Sequence, residues 1–483
     1  MNARTKWSYC IGATGRDAAY ALISMYLMLY VQYTMKLTTA QYAVISACMV
    51  VCMVWDAVND LLMGIIIENT HLKAGKFRPW ILIGCLLNAG IIISLFTIRP
   101  TGWGFVIFFV IGYLMWGMTF TMNDIAYWGM LPSLSSDPKV RNMLVTLMSV
   151  FICIGQFSVA GIVPMVIAGN AIEAYRVVAL VVSLVFVACQ VLVFFGVTES
   201  ERRDLEEKLS LKTMFNLFVR NDQLVHIGIA SLLFNIGNNL LIIFGVNFFY
   251  VEFGYSDSGT LVFIFTVMFG IGTLLSQSSF AALSKKLTRA QILKFVIIGL
   301  SAMYALLLAF GYVLPKNVIL LNAIGCVIFF CQGLFNMVII VMINNTIEYD
   351  EYRYNERHDS VISAVRSFSV KLASGINQGV STLVLIVSGI YAVSQGISDL
   401  ENQVAENTIT SEAALSGANE LLAGVTALQG LILRIGMVGV PMLTMSCAYF
   451  IIKKKYTIDE KEYDRLVGEI ALRRNKSRET GEL

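Results

Sequence analysis

Residues 55–80 read WDAVNDLLMGIIIENTHLKAGKFRPW. Asp56, Asn59 and Asp60 stand inside a run that is otherwise apolar, and a burst of cations follows. The run belongs to a much larger pattern. Of 483 residues, 57% are hydrophobic and 14% charged, and the apolar stretches recur at the length of about 20 residues that a helix needs to cross a hydrocarbon core. We read twelve such segments, roughly 7–35, 40–67, 79–98, 103–133, 142–169, 176–198, 223–251, 259–284, 291–314, 317–347, 360–396 and 428–452. The expected fold class is an all-α integral membrane protein of twelve transmembrane helices. Met1–Lys6 followed by a long apolar stretch containing Arg16 and Asp17 does not read as a cleavable signal. The nine cysteines lie mostly within spans and without metal or disulfide spacing.

Lys and Arg placement gives the orientation. Loops on the side that holds both termini carry 27 of the 35 basic residues, and the opposite side carries Lys36, Arg99, Arg176, Lys316 and Arg434. Both termini are therefore expected in the cytoplasm. The net charge of +3 hides this asymmetry and gives no reason to expect nucleic acid. The charged stretch 198–222 falls between the sixth and seventh spans. The expected organisation is an N-terminal six-helix bundle (1–198), a linker (199–222), a C-terminal six-helix bundle (223–453) and a polar tail (454–483), the layout of transporters built from two bundles about a midplane site. The acidic segment 397–427 reads as a solvated external cap.

Seven ionisable groups remain deep within spans: Arg16, Asp17, Asp56, Asp60, Asp124, Arg366 and Lys371. A charge at the bilayer centre costs about 2.5–3.5 kcal/mol even on the lenient insertion scale, so such groups face a cavity or one another. At 1.5 Å per residue, Asp17, Asp56, Asp60, Asp124 and Lys371 fall ~12–18 Å from the cytoplasmic edge, near the midplane. Asp56 and Asp60 share a helix face at i, i+4 and repel unless a cation or a shared proton relieves them. Their oxygens, with an amide and a hydroxyl nearby, suit a hard monovalent ion such as Na⁺. On the fourth span Thr121, Asp124 and Trp128 share a face. The rings of Tyr127 and Trp128 beside a carboxylate match the C–H faces and hydroxyl rim of a sugar. Structural alternatives exist for several of these residues, Arg16 and Asp17 as a plain ion pair, Trp128 as core, Lys371 as charge balance. In the cytoplasmic loops, Lys76, Arg78 and Arg141 face a comparably placed stretch, EYDEYRYNER (348–357), whose Glu348, Asp350, Glu351 and Arg357 complete a candidate charged gate.

Taken together, GATGRDAAYALISMYLM (12–28), WDAVND..MG (55–64), GKFRPWILIG (75–84), WGMTFTMNDIAYWGMLPSLSSDP (116–138) and NTIEYDEYRYNER (345–357) resemble the glycoside–pentoside–hexuronide:cation symporters, the melibiose-carrier family within the major facilitator fold. The resemblance implies a cation site at Asp56, Asn59, Asp60 and Thr121. It implies sugar-binding acids at Asp17 and Asp124, a stacking ring at Trp128 and a central lysine at Lys371. Arg16 stands where the melibiose carrier has lysine. Two departures are visible: NDLL, with Leu61, replaces the family's Asp-Pro context, and Ser149 stands where a sugar-contacting arginine of the fifth span is expected. Arg366 is a candidate to supply a cation from the other half, toward an anionic sugar such as a uronide.

The expected function is cation-coupled symport of a glycoside or related sugar by alternating access, with Na⁺ or H⁺ as coupling ion and no cofactor. The bacterial cytoplasmic membrane is the expected location, and a monomer the expected state. The alternatives weighed are a cation-coupled carrier of a non-sugar amphipathic solute and a non-transporting sensor. An enzyme is disfavoured, because no nucleophile–base pairing or GxGD signature accompanies the aspartates.

Overall fold

The computed structural model describes residues 2–70, 75–135, 138–199, 216, 218–354 and 359–480. Among these no β-strand occurs, and the chain runs as helices throughout. They are α1 (Ala3–Ala21), a π-helical segment (Leu22–Tyr26), α2 (Leu27–Thr34), α3 (Thr39–Glu68), α4 (Arg78–Thr97), α5 (Trp103–Leu134), α6 (Pro138–Ile167) and α7 (Ala171–Gly196). There follow α8 (Asp222–Phe253), α9 (Ser258–Leu283), α10 (Arg289–Ala309), α11 (Val318–Tyr354) and α12 (Asp359–Val387). The last are α13 (Ile390–Ala405), α14 (Ser411–Ala423), α15 (Ala427–Arg434), a second π segment (Ile435–Gly439), α16 (Val440–Lys455) and α17 (Glu460–Thr480).

Ten of the described helices are long and apolar enough to cross a membrane. The other two spans read from the sequence, α1 with α2 and then α3, carry Arg16, Asp17, Asp56 and Asp60. The helix starts follow local chemistry: Thr38 and Gln41 form a reciprocal cap on α3, Thr288 and Gln291 the same on α10, and Pro79 sits in the first turn of α4.

Two units emerge from the packing, one of Met1–Leu205, Gly245–Val267 and Gln378–Leu433, the other of Glu206–Phe244, Met268–Asn377 and Arg434–Leu483. This division cuts through α8, α9 and α12, whereas the sequence places its boundary at the 199–222 linker. In the first unit, Tyr9, Ala13, Ile81, Ala126, Tyr127, Leu144 and Val193 bury together and tie α1, α4, α5, α6 and α7 into one core. Amides at depth lock these helices. Asn88 donates to the Trp116 carbonyl at 2.9 Å, Asn123 to the Ile81 carbonyl at 2.7 Å and Gln190 to the Gly12 carbonyl at 2.8 Å.

The stretch 397–427 is helical and mostly solvated, with one inward-facing stripe. It forms most of the α13–α14 hairpin, and α13 buries Tyr391, Ser394, Ile397, Ser398 and Glu401 at helical spacing. Glu401 is 1% exposed. It accepts the backbone N–H of Gly169 at 3.0 Å and of Ala171 at 2.6 Å, and the Tyr255 hydroxyl at 2.9 Å. The carboxylate thus caps the start of α7, where unpaired N–H groups favour negative charge. The hairpin also grips the turn after α2 and the start of α3: Gln395 accepts the Leu37 N–H at 2.9 Å, and Tyr391 stacks on Tyr42 at 4.3 Å.

In the second unit, α10 packs on α11, where Gln332 donates to the Tyr304 hydroxyl at 3.0 Å. Arg434, counted from sequence among the cations of the outer side, is 1% exposed. It donates to the carbonyls of Leu308 and Phe310 and lies 4.3 Å from the Tyr312 ring, a cationic cap on the C-terminal end of α10.

Candidate solute and cation site

α1 and α5 bring together three of the deep charges. Arg16 donates through Nε and Nη2 to Asp17 Oδ2 at 3.0 and 2.7 Å, and its Nη1 lies 3.2 Å from Asp124 Oδ1. The guanidinium is 2% exposed, so pairing with two carboxylates is what makes its burial tolerable. It also lies 4.6 Å from the centre of the Tyr127 ring and 5.4 Å from that of Trp128. Tyr127 stacks on Tyr9 at 4.7 Å, each hydroxyl donating to the other residue's carbonyl.

Exposure separates these groups into two kinds. Tyr127 is fully buried, so the ring set beside Trp128 in the sequence reading supports Arg16 from below and presents no face to a solute. Trp128 is 40% exposed, and the Asp124 side chain 36%. Asp124 and Trp128, one turn apart on α5, are therefore the open acid and ring of the cluster, with Arg16 as the buried cation that orients the acid.

The fifth span contributes through a residue the sequence reading did not single out. Ser149 is exposed and donates to the Val145 carbonyl of its own helix at 2.8 Å. Two turns on, Gln156 donates its side-chain amide to Asp17 Oδ1 at 3.2 Å. The signal was present in the sequence as a lone amide in an apolar span.

α3 meets α5 one turn from Asp124. The Thr121 hydroxyl donates to Asp60 Oδ1 at 3.1 Å. Asn59 is 6% exposed, and its amide nitrogen has no hydrogen-bond partner among the described residues. Asp56 lies against Gly117, where an added Cβ would stand 2.6 Å from Oδ1. The missing side chain at Gly117 is what admits this carboxylate. Two carboxylates, an amide and a hydroxyl thus gather from α3 and α5, the oxygen-rich set that a hard cation takes or that shares a proton.

Lys371 and Arg366 lie on α12 in the second unit, Lys371 half-buried and Arg366 exposed. Among the candidate gate residues, the partner of Arg78 is Glu199, with Nε 3.6 Å from Oε1. Glu199 also accepts the backbone N–H groups of Lys76 at 2.8 Å and Arg78 at 2.9 Å, capping α4. Gly75 has a φ of +112°, and a Cβ there would meet the same carboxylate. Arg141 is half-buried on α6. In the second unit Asp350 is 4% exposed with the Arg220 guanidinium 3.9 Å away, while Glu348 and Glu351 are half-buried. Arg357 lies outside the described residues.

Comparison with known proteins agrees with this architecture. A family model described as MFS/sugar transport protein matches residues 8–433. A lactose permease of Lactobacillus helveticus is 27% identical over 409 residues, 79% of this chain and 62% of that protein, so the chain spans less than two thirds of that relative's length. The raffinose carrier protein of Pediococcus pentosaceus is 24% identical, covering 96% of this chain and 70% of the relative. A putative glycoside/cation symporter of Escherichia coli is 22% identical over 83% and 86%. Among solved structures, a bacterial homologue of the human lysosomal transporter Spinster superposes with a TM-score of 0.64 at 10% identity over 95% of this chain and all of that one. A D-xylose-proton symporter gives 0.58 at 16% identity, over 88% of this chain and 98% of the other. The chain belongs to the MFS/sugar transport proteins, in the glycoside–pentoside–hexuronide:cation symporter family of the major facilitator fold.

Proposed function

We propose that the chain is a symporter that couples entry of a sugar or glycoside to a monovalent cation, Na⁺ or H⁺, in the bacterial cytoplasmic membrane, with both termini inside. The observation that carries this reading is the Arg16–Asp17–Asp124 cluster beside the open face of Trp128. Asp124 and Asp17 accept the solute's hydroxyl protons, and Trp128 packs against its C–H face. Arg16 pairs with both acids and orients them.

The cation enters at Asp56, Asn59, Asp60 and Thr121. Its charge relieves the repulsion of the two acids, and Thr121 passes the change to Asp124 one turn along α5. The coupling is then reciprocal: solute raises cation affinity by the factor by which the cation raises solute affinity. Lys76, Arg78 and Arg141 of the first unit, and Glu348, Asp350, Glu351 and Arg357 of the second, are the charged cytoplasmic groups whose pairing changes with this occupancy. The names of the relatives, lactose permease, raffinose carrier and glycoside/cation symporter, support a sugar as cargo.

Proteoliposome uptake of a panel of galactosides, pentosides and uronides, run separately under Na⁺ and pH gradients, tests the reading. Accumulation of at least one sugar above its external level under one gradient is the expected result. Absence of gradient-driven accumulation across the panel, with purified folded protein, overturns it.

A further inference from the structure

We propose that the cavity bounded by the ends of α10, α11 and α16 and the start of α17 binds the phosphate headgroup of an anionic glycerophospholipid. It has a volume of about 410 Å³ and is lined by Arg289, Lys294 and Lys453 together with Asp459 and Glu460. Three cations against two acids leave the lining net positive, and Glu460 is already paired with Arg289. Glu460 accepts the backbone N–H of Arg289 at 2.7 Å and its Nε at 3.0 Å. Asp459 accepts the Glu462 N–H at 2.8 Å and so caps α17. Lys294 and Lys453 remain, and neither makes an ion pair among the described residues. Two ammonium groups at one cavity suit a phosphodiester, whose oxygens each accept a charge-assisted hydrogen bond.

The rest of the wall favours a lipid over a free ion. Leu293, Met342 and Ile452 make the inner surface apolar, a poor surround for inorganic phosphate and a good one for a glycerol backbone. The same helices continue with exposed apolar side chains. Phe295 and Ile298 on α10 are 58% and 59% exposed, and Leu443 and Phe450 on α16 are 65% and 53% exposed. These surfaces give acyl chains a path from the headgroup along the helices. Basic clefts between transmembrane helices on the cytoplasmic side recognise anionic headgroups in this way. Which leaflet supplies the lipid rests on the orientation proposed above; the binding itself does not.

The test is native mass spectrometry of the full-length protein titrated with phosphatidylglycerol or phosphatidylcholine, with thermal melting in the same lipids and in inorganic phosphate. A lysine near an anionic headgroup is worth about 1 kcal/mol, so Lys294→Gln with Lys453→Gln should weaken phosphatidylglycerol binding roughly 30-fold. The same double variant should melt like the parent in phosphatidylcholine. Lys285→Gln with Lys286→Gln removes equal charge from the neighbouring turn, outside the cavity, and should change binding less than about threefold. Equal weakening by both pairs would mean diffuse surface attraction and would overturn the site. So would phosphatidylcholine binding as tightly as phosphatidylglycerol, or inorganic phosphate stabilising the protein as much as the lipid.

Discussion

Gln156 on α6 donates to Asp17 on α1 across 3.2 Å, so the fifth span touches the acidic cluster through a neutral amide. The second oxygen of Asp17 is held by Arg16. Gln156→Ala removes a hydrogen bond to a charged group, an interaction worth about 1.5–3 kcal/mol. Half-saturation for the transported sugar should rise roughly 10- to 100-fold, while the maximal rate changes less. Gln156→Glu sets a second carboxylate against Asp17 and should depress uptake further at neutral pH than at acid pH. An unchanged half-saturation in both variants would remove Gln156 from the site.

The cation set makes a different kind of prediction. Asp60→Cys removes the oxygen bonded to Thr121 and should abolish uphill accumulation while leaving measurable solute binding. Gly117→Ala places a methyl where Asp56 Oδ1 now packs, and should raise the half-saturating cation concentration by about tenfold or more if Asp56 shifts at a cost of 1.4 kcal/mol. Uptake kinetics across a series of cation concentrations separates these effects from a loss of solute affinity.

Glu199 links the end of the sixth span to the start of α4 through three consecutive backbone N–H groups and the Arg78 side chain. Glu199→Ala should destabilise the first unit by about 1–2 kcal/mol. Hydrogen exchange over residues 76–80 should quicken first. A loss confined to distant helices would contradict the cap.

The Glu401 carboxyl is raised from its ordinary value of 4.5 by burial, which outweighs the lowering by the Ala171, Tyr255 and Gly169 hydrogen bonds. Its folded value therefore exceeds its unfolded one. Its contribution to stability is fully present below pH 4.5 and is lost as pH rises through the folded value. Amide exchange at 169–173, corrected for intrinsic rates, should show weaker protection at neutral than at acid pH, and Glu401→Gln should flatten that dependence. Glu401→Ala leaves buried N–H groups without an acceptor and should cost about 1.5–3 kcal/mol.

Hydropathy made the spans legible because lipid forces whole helices of fixed length, and the deep acids were legible because each is expensive unless used. Arg16, Asp17 and Asp124 do meet, as do Asp60 and Thr121. What pattern could not supply was direction. Tyr127 and Trp128 are neighbours in sequence, yet one is fully buried and the other 40% exposed. Gln156 escaped notice because an uncharged amide carries a weak signal. In the α13–α14 hairpin Asp399, Glu406, Glu412 and Glu420 are exposed, as composition suggests, and Glu401 is the buried exception. Only a packed partner such as the start of α7 shows that Glu401 points inward.

The π-helical segment Leu22–Tyr26 separates Arg16 and Asp17 from Gln32 and Tyr33. Such a segment accommodates one residue beyond the regular ladder, and so turns everything after it by roughly 100° about the axis. That rotation lets the first half of the span address Asp124, while Gln32 and Tyr33 both donate to Asn247. When related sequences are aligned, a single-position gap between residues 22 and 26 should therefore be read as a change of helical phase. It would re-aim one half of the helix while leaving its length and hydropathy almost untouched.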